Sequence, residues 1–206
     1  MKELMKHVWG LRPILDRENK FIFTVNHKVG TISVTRGALP DRFLSGKYQK
    51  TLYPQTFHSY TEVDFYRMFK FTIIRNPYDR MVSTVLYLQR TGRISPEISF
   101  GEFVKKVFVK EGPAINPHFH PQYPSVFFNN KRFVNFVANL ENIQEDWFYI
   151  AKKIGCTEKL PRINKTPHRH YSTYYDDEIK QIVDRFYPED VKYLGYDFEN
   201  GLISRL

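Results

Sequence analysis

The chain has one cysteine, Cys156, in 206 residues, so no intramolecular disulfide is available and the fold must close on packing and hydrogen bonds alone. No apolar run approaches the roughly 20 residues that a membrane span requires, and the opening MKELMKHVWGLRPIL has charge scattered through it where a signal or anchor would be continuous. A soluble, cytoplasmic protein is the expectation, with the Golgi lumen as the alternative if a membrane anchor stands outside this sequence. Internal repeats, low-complexity tracts and Gly/Ser linkers are also missing, so nothing marks a domain boundary, and a single domain over residues 1–206 is expected. Acidic residues are in deficit: 22 against 31 lysines and arginines gives a net charge of +9. That balance favours an anionic partner, whether a phosphorylated cofactor, an acidic polysaccharide, a nucleic acid or a membrane surface, without choosing among them.

What is present is an alternation of short apolar runs with helical patterns. Residues 21–25 (FIFTV), 69–74 (FKFTII) and 133–138 (FVNFVA) have the length and the β-branched and aromatic content of buried strands. The first leads into a loop at 26–30, with a helix expected from about Thr31. The second leads into Asn76 and Pro77, an N-cap followed by a first helical position, with Asp79 in the first turn. Ser99 and Glu102 have the spacing of a capping box, and Gly112 is the expected stop. Ile143, Trp147, Ile150 and Ile154 before Gly155, and Ile179, Ile182, Val183 and Phe186 before Pro188, recur at helical spacing and predict core stripes. The fold class that follows is α/β, a mainly parallel β-sheet flanked by helices. Ligands of such sheets gather at the carboxyl ends of the strands, where the loops at 26–33 and 75–83 belong.

Both loops have the ingredients of anion sites. His27-Lys28-Val29-Gly30-Thr31-Ile32-Ser33 combines a lysine, a glycine, hydroxyls and the free amides of a helix start. Lys28 precedes the glycine, so the Gly-Lys-Ser/Thr order of a Walker A loop is absent and a P-loop-like nucleotide kinase is disfavoured. In Arg75-Asn76-Pro77-Tyr78-Asp79-Arg80-Met81-Val82-Ser83, an arginine ends the strand, while Arg80 and Ser83 share a helix face and would grip a second phosphate. The competing reading makes Arg75 and Arg80 surface residues that pair with Asp79 or Glu102. A non-catalytic basic module for polysaccharide or nucleic acid is the other alternative, and two phosphate loops after separate strands argue against it.

The two segments together, VNHKVGTIS and FTIIRNPYDRMVS, resemble the 5′-phosphosulfate and 3′-phosphate motifs of sulfotransferases that use 3′-phosphoadenosine 5′-phosphosulfate (PAPS). The likeness is to the carbohydrate branch, sulfotransferase family 2, which includes chondroitin and uronyl 2-O-sulfotransferases. His118-Phe119-His120-Pro121-Gln122 and the tail from INKTPHRHYSTYY to KYLGYDF resemble that branch too, so the likeness spans nearly the whole chain. It implies a P-loop-like fold and PAPS as sulfuryl donor, with adenosine 3′,5′-bisphosphate as product and no metal. The acceptor it implies is a hydroxyl, on a carbohydrate that can itself be anionic, and no nucleic acid partner is expected. Lys28, Val29, Gly30, Thr31, Ile32 and Ser33 would hold the 5′-phosphosulfate, and Arg75 and Ser83 the 3′-phosphate. Where the family more often has Pro and a hydroxyl or thiol residue, this chain has His27 and Ile32.

Sulfuryl transfer needs a cation on the leaving phosphate oxygen, for which Lys28 is suited, and a base for the attacking hydroxyl. His58 is the expected base, because family members with a catalytic histidine have one in this interval; Glu62 and Asp64 are alternatives or orienting groups. His118 and His120, two apart with no obvious third ligand, are poorly spaced for a metal and are expected to line the acceptor site or brace the fold. Lys165, Thr166, His168 and Arg169 form a basic loop that would close over the cofactor or remain a solvated turn, and Arg169 is assigned to the cofactor.

Overall fold

The computed structural model describes residues 2–11, 13–16, 20–39, 61–163 and 166–206. Their contacts divide into two compact units. The first comprises Met1–Asn26, Gly30–Ile74 and Pro124–Asn164, and the second His27–Val29, Arg75–Tyr123 and Lys165–Leu206.

The first unit is built on a four-stranded sheet. Its strands are β1 (Ile14–Asp16), β2 (Phe21–Thr24), β3 (Phe69–Ile74) and, after the short hairpin of β4 (Phe127–Phe128) and β5 (Lys131–Arg132), β6 (Phe136–Asn139). The order is β1-β2-β3-β6, with β2, β3 and β6 parallel and β1 antiparallel at one edge. Every residue of β2 is buried, as a strand covered on both faces requires, and that is why it reads as a continuous apolar run without alternation. Phe23 pairs in register with Phe71, and their rings stack at 4.8 Å. The mainly parallel α/β sheet expected from the sequence is therefore present. The third strand begins three residues later than expected and ends one later: Phe133 donates its N–H to Val126 O instead, and its ring packs with Val8, Leu15, Ile22, Phe65 and Met68. Helix α1 (Lys2–Gly10) and the strand β1 were not anticipated. Helix α2 (Glu62–Arg67) begins at a capping box formed by Thr61 and Asp64.

The carboxyl end of β2 is closed by a buried polar knot. Asn26 Nδ2 donates to Ser125 Oγ at 2.8 Å and to Ile73 O at 3.0 Å, Thr72 Oγ1 donates to Thr24 O at 2.7 Å, and Thr24 Oγ1 to Ser125 O at 2.9 Å. These bonds satisfy groups that burial would otherwise penalise. Thr31 Oγ1 then donates to Asn26 O at 2.7 Å. The chain winds as a helix from Thr31, widening to a π-type turn over Ser33–Ala38.

The second unit has an aromatic core. Helix α3 (Pro77–Arg90) starts where expected: Asn76 Oδ1 accepts from Tyr78 and Asp79 N–H groups, with Pro77 at the first position. Helix α4 spans residues 100–111 from the Ser99–Glu102 capping box, and Gly112 ends it at φ +61°. Buried Tyr78, Phe103, Phe108, Phe119, Tyr171 and Tyr187 pack with Ile179 and Val183 of the helix Asp177–Phe186.

Candidate functional site

The second unit gathers the cations around Lys28. This residue sits at φ +63°, in the left-handed region that side chains other than Gly, Asn and Asp seldom enter. Such a backbone costs about 1–2 kcal/mol. Strain of this kind collects at ligand sites. Its ammonium lies 4.2 Å from the centroid of Tyr87 and donates to Thr166 Oγ1 at 3.2 Å. No carboxylate among the described residues pairs with it. Burial first, then the neighbouring charges of Arg75 and Arg90, brings its pKa down to about 8.

Arg75, directly after β3, is held from three sides. Its Nε donates to Asp79 Oδ2 at 2.8 Å, Nη2 lies 2.7 Å from the same oxygen as an ion pair, and Nη1 donates to the carbonyl of Lys28 at 3.2 Å. His168 Nδ1 lies 2.7 Å from Arg169 O, which can only accept, so Nδ1 has a hydrogen; Nε2 lies 3.3 Å from Arg75 Nη2 and 3.5 Å from Asp79 Oδ1. Of the two Nη1 hydrogens, one goes to Lys28 O and the other has no partner among the described residues. The backbone of Arg75 is clamped as well: its N–H donates to Gln122 Oε1 at 2.9 Å and its carbonyl accepts from Gln122 Nε2 at 2.8 Å. Gln122 is completely buried, and its own N–H donates to both carboxylate oxygens of Asp190 at 2.9 Å, with Tyr123 N–H adding a bond of 2.7 Å.

Arg80 does not reach outward as the helix-face argument proposed. It is 2% exposed, lies 3.7 Å from Asp190 through Nη2, and donates from Nη1 to His118 O at 3.1 Å. It pairs with neither Asp79 nor Glu102; Glu102 holds Lys106 instead. Ser83 is also buried, at 2%. Arg169, assigned from sequence to the cofactor, is exposed and lies against Tyr174, 5.8 Å from its centroid. From the same loop, Thr166 meets Lys28 and His168 meets Arg75.

In the first unit, Gly30 has φ +83°, and a Cβ there would stand 3.2 Å from Leu140 Cδ1, so this position takes glycine for both reasons. Ser33 is buried, and its Oγ accepts the N–H of Ile163 at 3.0 Å. Asp64 caps α2 and Glu62 stands exposed at its start. His58 and Lys165 lie outside the described residues. Among those described, no group of three or more His, Cys, Asp or Glu residues is placed to hold a metal, and no helix is long and apolar enough to cross a membrane.

His118 belongs to the same cluster. Its ring packs at a tilt against His27, centroids 4.4 Å apart, and against Tyr87 at 5.2 Å, and Nδ1 lies 2.8 Å from Asn116 Oδ1. Asn116 and Asp190 were missed in the sequence, and Gln122 stood there only as the end of the block His118–Gln122, with no role of its own. Asn116-Pro117 had a readable signal, an Asx turn, whereas nothing local marks Asp190 as the partner of Gln122.

This chain is 38% identical over 102 residues to an uncharacterized protein of Archaeoglobus fulgidus, a match covering 49% of this chain and 80% of the relative. No solved structure matches it. The family model described as "Sulfotransferase family" matches residues 14–197, which takes in the sheet, both loops and the cluster around Lys28 and Arg75. The chain belongs to the sulfotransferase family.

Proposed function

We propose that this protein transfers a sulfuryl group from PAPS to a hydroxyl of a carbohydrate acceptor by in-line displacement. Family membership supports sulfuryl transfer in general. The observation that carries the donor assignment is Lys28, a partly desolvated ammonium with no carboxylate partner among the described residues and with Arg75 and Arg90 as like-charged neighbours. A bound anion relieves that repulsion, and the chemistry of these groups fits a phosphosulfate.

PAPS, when bound, supplies the sulfuryl group and departs as adenosine 3′,5′-bisphosphate. Lys28 neutralises charge that develops on the phosphate oxygen in the transition state. The amides of Gly30, Thr31 and Ile32, consecutive with Lys28 in the chain, are donors for the same phosphosulfate, with Val29 in the loop between. Arg75 contributes its remaining Nη1 hydrogen to the 3′-phosphate. The proton of the acceptor hydroxyl passes to a histidine. The net charge of +9 and 32 tyrosines and phenylalanines suit an anionic sugar, as counter-charge and as stacking surface.

Calorimetric titration with adenosine 3′,5′-bisphosphate, beside 5′-AMP and ATP, tests the reading. Preference for the bisphosphate, lost in Lys28→Ala and weakened in Arg75→Ala, is expected. Better binding of ATP, or unchanged binding in both variants, would refute it and reopen the kinase and binding-module readings.

A further inference from the structure

The tautomer of His118 is written in its contacts. Asn116 Oδ1 accepts the backbone N–H of His118 at 3.0 Å, which fixes the amide's orientation, since the Nδ2 group could not accept that hydrogen. The same oxygen lies 2.8 Å from His118 Nδ1 and can only accept. Nδ1 therefore has the ring hydrogen and Nε2 has the lone pair. Nε2 has no hydrogen-bond partner among the described residues. The ring lies against both His27 and Tyr87, and Tyr87 is also the ring against which Lys28 lies. An oriented imidazole with a bare Nε2, fixed through Nδ1 by an acceptor and set beside the cation of a phosphate site, has the arrangement of a general base. His27 lacks the orienting bond: neither of its ring nitrogens has a hydrogen-bond partner among the described residues.

Resting on the sulfuryl-transfer reading above, we infer that His118, through Nε2, takes the proton of the acceptor hydroxyl, with Asn116 as its positioning residue. As the acceptor oxygen bonds to sulfur, its proton moves to Nε2. The bond from sulfur to the phosphate oxygen breaks with its electron pair left on that oxygen, next to the charge of Lys28. The imidazolium then returns its proton to solvent. Burial, and then the charges of His27, Lys28, Arg93 and Arg80, bring the pKa of His118 down to about 4. It is thus unprotonated at neutral pH, and it is a weak base until an anion offsets those cations. Basicity would then rise when the donor is in place, which favours proton removal in the complete complex.

The test joins two readouts on the full chain. Nitrogen-15 NMR of the imidazoles, without ligand, should show His118 with Nδ1 protonated and a pKa well below the ordinary imidazole value; saturation with adenosine 3′,5′-bisphosphate should raise it by a unit or more. Asn116→Ala should let the hydrogen redistribute between the two nitrogens. PAPS turnover, followed as bisphosphate release with a panel of glycan acceptors, should fall about 100-fold or more in His118→Ala. In His118→Gln the loss should be similar, while bisphosphate affinity in both stays within about threefold of wild type. An Nε2-protonated resting form, or wild-type turnover in His118→Ala, overturns the inference alone, and loss of turnover in His58→Ala would then return the base to His58. Failure of the wild-type chain to bind the bisphosphate overturns the sulfuryl-transfer reading, and the role of His118 with it.

Discussion

Gln122 is the most exacting place to perturb this structure. Its side chain makes both backbone bonds of Arg75, at 2.9 and 2.8 Å, from a position with no exposure to solvent. Gln122→Leu preserves much of the volume while stranding one donor and one acceptor. A buried polar group left without a partner costs about 1–3 kcal/mol, so the pair should cost about 2–6 kcal/mol. With a slope of about 2 kcal/mol per molar urea, the unfolding midpoint should fall by about 1–3 M, measured by Trp fluorescence. The variant Gln122→Glu sharpens the test. A protonated carboxyl can reproduce both bonds, so burial holds its folded-state pKa above the unfolded value of about 4.3. Stability should then approach wild type at acid pH and fall as pH rises past that value, because the folded state binds the extra proton. A midpoint shift under about 0.3 M in Gln122→Leu would refute the clamp.

Further outcomes are expected. The pKa of about 8 for Lys28 in the free protein means that affinity for adenosine 3′,5′-bisphosphate should decline as pH rises above about 8, by up to tenfold per unit; Lys28→Arg should flatten that slope, and equal slopes in both would count against the assignment. Lys70 is buried in the first unit, donating to Phe65 O and Met68 O at 2.8 Å, and burial lowers its pKa to about 8. Between about pH 8 and 10.5 the unfolded chain therefore binds the extra proton, so wild type should gain stability relative to Lys70→Met across that window, as chemical denaturation can show. Gly30→Ala should lower stability by about 1–2 kcal/mol through its left-handed backbone, with bisphosphate affinity falling further if the loop reorganises.

The elements that could be read in the sequence are those whose causes are local. Asn76 with Pro77 and Ser99 with Glu102 each place a cap within three residues of what it caps, and both helices begin there. β3 was legible because six consecutive residues suit a strand covered on both faces. β1, three residues long and antiparallel at the sheet edge, owes its existence to β2 and has no pattern of its own. In the candidate site, Lys28 and Arg75 were legible from their place after strands, but their environment was not. The chain from Asp190 to Gln122 to Arg75 crosses sequence separations of 68 and 47 residues. Arg80 shows the limit of helix-face reasoning: its spacing with Ser83 was right, yet the face they share points into the protein, where Asp190 receives the charge.

The bond from Thr31 to the carbonyl of Asn26 also sets a ruler. Between the polar knot that fixes Asn26 and the helix that begins at Thr31 there is room for four residues, two of which, Lys28 and Gly30, already occupy left-handed backbone. A loop so closed has a fixed length. Insertion of one residue at 27–30 would have to break the Thr31 bond or move Lys28 away from Tyr87 and Thr166, whereas the exposed turn at 91–93 has no such closure to preserve. Substitution can vary the chemistry of this loop, as His27 and Ile32 already do, but changes in length cannot enter it without dismantling the cation that it presents.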